Sequence, residues 1–364
     1  MKFGIEQDQI LEALQKVQSI VGQRTTLPIL SNVLLEADNG KLTLTTTDQE
    51  VSVRTSLEAD ISESGSTTLP ARRFFSICRE LPSHQIDIKV GSNDVAEISS
   101  GAANFKLEGL SKDDFPPMPS FEESFSYQLE QGTLKDILQK TSYAASTDES
   151  RAILNGSLMA FRDNKLTVVS TDGRRLALVE QEIDIPEDAE LDIVVPTKTI
   201  TELVKTLGDE GEASIKTSTK QVAFEFGNIF IISKLVDGTY PNYRQVIPSQ
   251  CEERIAIDRE TLLSAVRRVS LMLDDQAASV KVNITENRIE LLTSSPEIGE
   301  ARESVPVKYS GKDITIAFNP AFMMAPLKHL DSDEIFLELS DELSPGVIKS
   351  NVPFLYVIMP IRVS

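Results

Sequence analysis

Three stretches of the chain begin with a short alternating run and then switch to helical spacing. Lys2-Phe3-Gly4-Ile5 precedes Gln9-Ile10-Leu11-Glu12-Ala13-Leu14-Gln15-Lys16-Val17. Tyr127-Gln128-Leu129 precedes Thr133-Leu134-Lys135-Asp136-Ile137-Leu138-Gln139-Lys140. Arg254-Ile255-Ala256-Ile257 precedes Thr261-Leu262-Leu263-Ser264-Ala265-Val266-Arg267-Arg268. Apolar residues at i, i+3, i+4 and i+7 give each predicted helix one face to bury.

A second pattern recurs at matching spacing. Leu42-Thr43-Leu44-Thr45-Thr46-Thr47-Asp48 matches Leu166-Thr167-Val168-Val169-Ser170-Thr171-Asp172, and more loosely Ile289-Glu290-Leu291-Leu292-Thr293-Ser294-Ser295. The starts are 124 and then 123 residues apart. Their β-branched alternation predicts strands. A third pattern is a helix opened by Pro or Asn-Pro, after Leu69-Pro70, Val195-Pro196 and Asn319-Pro320, where proline in the first turn loses no intrahelical bond. Strand pairs close the units near residues 95–107, 222–235 and 347–361.

Each unit therefore holds two helices and an antiparallel sheet for them to pack on. The fold class is α+β, three copies of one domain. The Pro-rich runs Phe115-Pro116-Pro117-Met118-Pro119 and Tyr240-Pro241-Asn242-Tyr243 through Pro248 sit where linkers belong. The expected domains are residues 1–124, 125–250 and 251–364.

Composition fits this picture. At 364 residues the chain exceeds one compact core. With 40% apolar and 25% charged residues it is ordinary for a soluble globular protein. Cys78 and Cys251 lie far apart without CxxC spacing, which reads as reduced thiols in a reducing compartment. The N-terminus has no apolar signal-peptide core, and no apolar run approaches the roughly 18 residues of a membrane span. A cytoplasmic location is expected.

Nothing points to catalysis. His84 follows a Leu-Pro-Ser turn and His329 ends a helix beside Lys328, so both read as surface residues rather than members of a nucleophilic triad. No HExxH, Cys/His cluster, EF-hand loop, GxxxxGK[ST] or strand-linked GxGxxG occurs. Asp113-Asp114 and Asp274-Asp275 are paired acids beside turn residues, and read as solvated loops. No metal, cofactor or catalytic residue is expected, and a binding protein is favoured over an enzyme.

There are 36 basic and 56 acidic side chains, a formal net charge of −20. Read alone, that argues against a nucleic-acid partner. The charges are not evenly spread. The predicted helices, residues 7–24, 71–80, 132–140, 197–207, 258–268 and 319–330, carry a net +6, and subtracting that from −20 leaves −26 for the rest. Such segregation attracts a polyanion on one surface and repels it elsewhere.

The three repeats, the segment Thr171-Asp172-Gly173-Arg174-Arg175-Leu176-Ala177, the Tyr240-Pro241-Asn242-Tyr243 linker with Pro248, and the terminal Tyr356-Val357-Ile358-Met359-Pro360-Ile361-Arg362 together resemble the bacterial DNA polymerase III β sliding clamps. The resemblance covers the whole chain. It implies a head-to-tail homodimer closed into a ring, with helices inside and sheets outside. Packed helices sit about 10 Å apart. Twelve give a circumference of about 120 Å and an opening of about 28 Å; six leave only about 9 Å. Duplex DNA, roughly 20 Å across, passes only the larger ring.

The resemblance implies a topological mechanism in which the ring slides on duplex DNA and tethers the replicative polymerase. Contacts to DNA are expected at phosphates, independent of sequence. Lining candidates are Arg24, Arg72, Arg73, Arg151, Lys198 and Arg267; Ala152 and Ile153 stand where some relatives carry aromatic residues. Polymerase, clamp loader and repair proteins would dock a short apolar peptide between the second and third domains. Matching positions are Leu154, Thr171, Gly173, Arg174, Arg175, Leu176, Pro241, Val246, Asn319, Phe322, Leu343, Val357, Met359, Pro360, Ile361 and Arg362. An apolar groove with a few polar fixers suits such a ligand, and methionine adapts it to several partners. Arg174 replaces the family's usual His, and Gln245 stands where some relatives carry Arg.

The implied dimer joins the first domain of one chain to the third of the other. Phe105 and Leu107 on an edge strand are expected against Leu271 and Met272, and Arg73 against Glu297, Glu300 or Glu303. Two other readings compete: a ring-shaped interaction scaffold that holds no DNA, motivated by the net acidity, and a hydrolase using the paired acids.

Overall fold

The computed structural model describes every residue except 23–26, 83, 123, 274–278 and 363–364. Contacts divide it into two compact units. Unit 1 is residues 1–135 with 201–235, and unit 2 is residues 136–200 with 236–364. This division differs from the three repeats for a physical reason. Strand Val51–Glu58 of the first repeat pairs with Ile229–Lys234 of the second. Likewise Arg175–Glu182 of the second pairs with Phe354–Ile358 of the third. Sheets continue across repeat boundaries, and backbone pairing holds them as firmly as pairing inside a repeat.

In unit 1 a five-stranded antiparallel sheet runs Asp60–Glu63, Lys2–Glu6, Gln85–Val90, Val95–Ser100, Ala103–Glu108. An eight-stranded sheet runs Phe125–Glu130, Glu212–Thr217, Gln221–Phe226, Ile229–Lys234, Val51–Glu58, Lys41–Thr47, Asn32–Asp38, Gly65–Pro70. In unit 2 the eight-stranded sheet runs Leu191–Pro196, Gly156–Arg162, Lys165–Thr171, Arg175–Glu182, Phe354–Ile358, Gly346–Lys349, Glu334–Leu339, Glu253–Asp258. A four-stranded sheet runs Gly299–Pro306, Arg288–Ser295, Val280–Thr285, Ile314–Phe318.

Six α-helices occur among the described residues: α1 Gln7–Val17, α2 Ala71–Glu80, α3 Gln131–Thr141, α4 Thr197–Thr206, α5 Arg259–Val269 and α6 Pro320–His329. Each matches its sequence expectation within a residue or two except the first, which ends at Val17 rather than running to residue 24. The Thr46 hydroxyl donates to the Val17 carbonyl at 2.7 Å, so the last turn needs no continuation. Ser19 and Gly22 favour leaving the helix there, and Ile20 and Val21 are buried in non-helical backbone. The third repeat uses the same device: Thr293 donates to the Val269 carbonyl at the end of α5, at 2.9 Å.

Asn319 caps α6, its Oδ1 accepting from the Ala321 and Phe322 N–H groups. Asp258 caps α5 through the Thr261 N–H, and hydrogen bonds from the Thr261 side chain and N–H, with the Arg259 charge beside them, hold its carboxyl below the usual range. Among the described residues no helix is long and apolar enough to cross a membrane.

Candidate partner-docking site

The expected docking residues all belong to unit 2. The segment Thr171-Asp172-Gly173-Arg174-Arg175 turns the chain between two strands, and its composition explains how. Asp172 Oδ1 accepts from the Arg174 and Arg175 N–H groups at 2.8 and 3.0 Å. The Thr171 hydroxyl donates to the Arg175 carbonyl and accepts from the Gly173 N–H. Gly173 has φ +86°, a left-handed conformation that glycine adopts without strain. Local side-chain bonds fix the turn before any ligand arrives.

Across the strand pair, Leu176 lies opposite Val357 and Leu178 opposite Leu355. Arg175, Ala177 and Tyr356 point the other way, because successive side chains alternate. On the first face Leu158, Ala160, Val169, Leu176, Val194 and Val357 form one buried cluster. Packed against it, half-exposed, are Ile153, Tyr240, Tyr243 and Ile247 with Leu178, Val236 and Leu355. The Tyr240 hydroxyl donates to the Val169 carbonyl, and burial raises its pKa, so it stays a neutral donor.

Leu154, Leu176 and Val357 are 8%, 2% and 2% exposed. They form the buried floor of an apolar platform. The exposed groups are Val246 at 47%, Leu343 at 64%, Met359 at 40% and Ile361 at 37%. Pro241, Arg174 and Arg362 are also exposed, and Pro360 is half-buried. Val246 lies in the single turn Tyr243–Val246 that follows Pro241. Leu343 lies in a turn whose N–H groups bond Asp341. The Met359 and Ile361 N–H groups donate to the carbonyls of Arg174 and Ala317.

Arg175 belongs to the opposite face. Its Nε pairs with Asp172 Oδ2 at 3.0 Å, and its guanidinium lies 4.4 Å from the centre of the Phe322 ring. It joins the turn to α6, with part of its charge already committed to Asp172. The Tyr356 hydroxyl donates to the Phe322 carbonyl. Tyr143 stacks on His329 with ring centres 4.5 Å apart. Burial raises the Tyr143 phenol far above its usual range, helped by Tyr356 and opposed by Arg175. His84 and His329 are both exposed.

The DNA candidates divide between the units. Arg72 and Arg73 are exposed on α2, and Arg72 Nη2 donates to the Val21 carbonyl. Lys198 on α4 and Arg267 on α5 are exposed. Arg151 pairs with Asp148 at 3.5 Å and donates to the Asp172 carbonyl, so part of its charge is already committed. Arg24 lies outside the described residues. With observed bounds α1 carries net −1 and the other five helices +1 or +2 each, so the total of +6 stands.

For the dimer candidates, Ala103–Glu108 is an edge strand. Phe105 is 41% exposed on it, but Leu107 is 6% exposed. Leu107 opposes Ala96 and fills unit 1's own core, which corrects its expected place beside Phe105 facing a partner. Leu271 is 75% exposed, whereas Met272 is half-buried against Gly299. Glu297 and Glu300 are exposed. Glu303 accepts two bonds from Arg268 Nε at 3.2 and 3.0 Å, so it is paired within its own chain rather than waiting for Arg73. The pair Asp113-Asp114 is exposed, and Asp274-Asp275 lies outside the described residues.

Sequence reasoning missed Ile153, Leu178, Tyr240, Tyr243, Ile247 and Leu355. The period of two from Leu176 to Leu178 and from Val357 to Leu355 was the available signal.

Three family models match the chain: the DNA polymerase III beta subunit's N-terminal domain at residues 1–119, its central domain at 128–242 and its C-terminal domain at 244–362. The beta sliding clamp of Chlamydia muridarum is 35% identical over 362 residues, covering 100% of this chain and 99% of that protein. Those of Pseudomonas putida and Bacillus subtilis are 34% and 33% identical, with both chains fully covered. Among solved structures, the DnaN sliding clamp of Bartonella birtlesii bound to griselimycin superposes with TM-score 0.95 at 35% identity. The Bacillus subtilis clamp does so with TM-score 0.95 at 32%; both matches cover 100% of each chain.

Proposed function

Because the chain belongs to the DNA polymerase III beta-subunit family, we propose how its own residues perform that family's work. The protein is a DNA sliding clamp that makes the replicative polymerase processive. Its work is tethering, not bond chemistry. Two copies, head to tail, close a ring around duplex DNA with the helices inward.

The helices draw the phosphates while the acidity elsewhere repels them. Arg24, Arg72, Arg73, Arg151, Lys198 and Arg267 form the attracting set. Contacts of this kind carry no base information and break one at a time, so the ring slides. Holding the polymerase on such a ring raises its effective concentration at the primer end without a tight contact to DNA.

The polymerase, the clamp loader and repair proteins dock on the unit 2 platform through a short apolar segment. The observation supporting this is a buried apolar cluster edged by half-exposed Ile153, Tyr240, Tyr243 and Ile247, with exposed Val246 in the same turn as Tyr243 and exposed Met359 bonded to the Arg174 carbonyl. Bound apolar side chains meet the half-exposed Leu178, Leu355, Tyr240 and Tyr243, while Arg174 and Arg362 fix polar groups. Phe105, Leu271, Arg73, Glu297 and Glu300 contribute to the ring's seam. The protein works in the cytoplasm.

Native mass spectrometry tests the ring. A species of twice the 40.2 kDa chain is expected, and a monomer at micromolar concentration would contradict it.

A further inference from the structure

Unit 1 contains a join of the same kind as the one beneath the platform of unit 2. In unit 1, Ser52 opposes Ile232 and Arg54 opposes Phe230. In unit 2, Leu176 opposes Val357 and Leu178 opposes Leu355. The residues correspond by the repeat spacing: Ser52 to Leu176 and Arg54 to Leu178 are each 124 positions apart. Arg54 lies on the face turned from α1, because Val53 opposes Thr46, whose hydroxyl bonds the end of that helix. Where the platform has Leu178, this sheet has a cation.

That cation is unpartnered. Arg54 is half-buried, and its Nε is closed off from solvent with no hydrogen-bond partner. Its cross-strand neighbours are Thr45 and Phe230, neither of which supplies a carboxylate. Buried donors are nearly always satisfied, so a guanidinium Nε without an acceptor needs a partner to supply one. Arg54 lines a groove of about 390 Å³ with Lys41, Leu57, Asn228 and Phe230. Glu58 and Glu225 line it too, and Glu225 is already held by Lys216 at 2.8 Å.

We propose that this groove docks a protein segment carrying one carboxylate beside an apolar residue. A guanidinium offers Nε and an Nη as a fork matched to the two oxygens of a carboxylate. Phe230, directly opposite Arg54 across the strand pair, provides the apolar contact at its side. The two glutamates on the wall repel a polyanion, so nucleic acid is not the occupant. The groove thus takes a single carboxylate at Arg54 rather than an acidic run, where the unit 2 platform takes apolar side chains alone.

The test uses the full-length protein, the peptide acetyl-Ala-Leu-Asp-Leu-Ala-amide, its Asp→Asn counterpart and inorganic phosphate. The Nε–Hε NMR signal of Arg54, assigned by its loss in Arg54→Met, reports binding. The Asp peptide should move that signal at a concentration about tenfold lower than the Asn peptide or phosphate. Arg54→Met should weaken the Asp peptide's binding to the groove, seen in the Asn228 side-chain signal, by a similar factor. Equal midpoints for Asp and Asn peptides overturn the proposal. So does phosphate acting as well as the Asp peptide, which would mark a general anion site, and so does an unmoved Arg54 signal in the unaltered protein.

Discussion

The backbone N–H of Met359 donates to the carbonyl of Arg174 at 2.9 Å, and two residues on Ile361 donates to Ala317 at 2.8 Å. The terminal segment is fixed on both sides while the Met359 side chain stays 40% exposed. It is therefore a preordered apolar contact. Met359→Ala should weaken an apolar peptide taken from the cognate polymerase about tenfold and leave the native mass at twice the chain. Titration calorimetry measures the first. Unchanged affinity would remove Met359 from the docking surface.

Asp172 holds the turn beneath that segment. Asp172→Ala strips two backbone N–H groups of their acceptor and leaves the Arg175 guanidinium without its carboxylate. Both side chains of the pair are only about one-sixth exposed. A loss of about 2–3 kcal/mol in urea unfolding is expected. Asp172→Asn keeps an oxygen for the turn and should cost roughly 1 kcal/mol. Equal losses for the two variants would mean that the ion pair, not the turn, carries the stability.

Thr46 and Thr293 each bond the final carbonyl of a helix from a buried position. Replacing either by valine keeps the shape and strands that carbonyl. Each change should lower unfolding stability by about 1–2 kcal/mol. Denaturation of Thr46→Val and Thr293→Val measures it. A loss confined to one of them would break the equivalence of the two repeats.

Burial raises the Cys78 thiol from 9.0 to about 12. Below pH 9 both folded and unfolded chains hold that proton, and the thiol adds no pH dependence. Above it the unfolded chain releases the proton first, so stability falls as pH rises, by about 1.4 kcal/mol per pH unit for one group. Tyr143, Tyr240 and Tyr356 are also raised by burial and act in the same direction. Urea midpoints should fall between pH 9 and about 11, and Cys78→Ala should make the decline shallower. A flat profile would mean these groups are not buried in solution.

The helices were legible because their apolar spacing and capping residues are local signals. Asn319-Pro320 and Asp258 mark starts, and the structure uses both as caps. The end of α1 was only hinted at locally, by Ser19 and Gly22, because the group that satisfies its last carbonyl, Thr46, lies 29 residues away. The turn at Asp172 was visible as a motif, but its chemistry emerged only from its bonds. Leu107 was expected at the interface because it lies on an edge strand with Phe105, and only the neighbouring strand shows it buried. The two compact units were invisible for the same reason: strand pairing across repeats is long-range. Arg54 drew no notice in sequence, since its meaning lies in the residue that occupies the equivalent position in the next repeat.

Retention on DNA tests the central claim most directly. The protein, loaded on a closed circular duplex, should remain bound through repeated dilution and leave rapidly once the circle is cut by a restriction enzyme. Dissociation from the intact circle as fast as from the cut one would contradict a topological clamp.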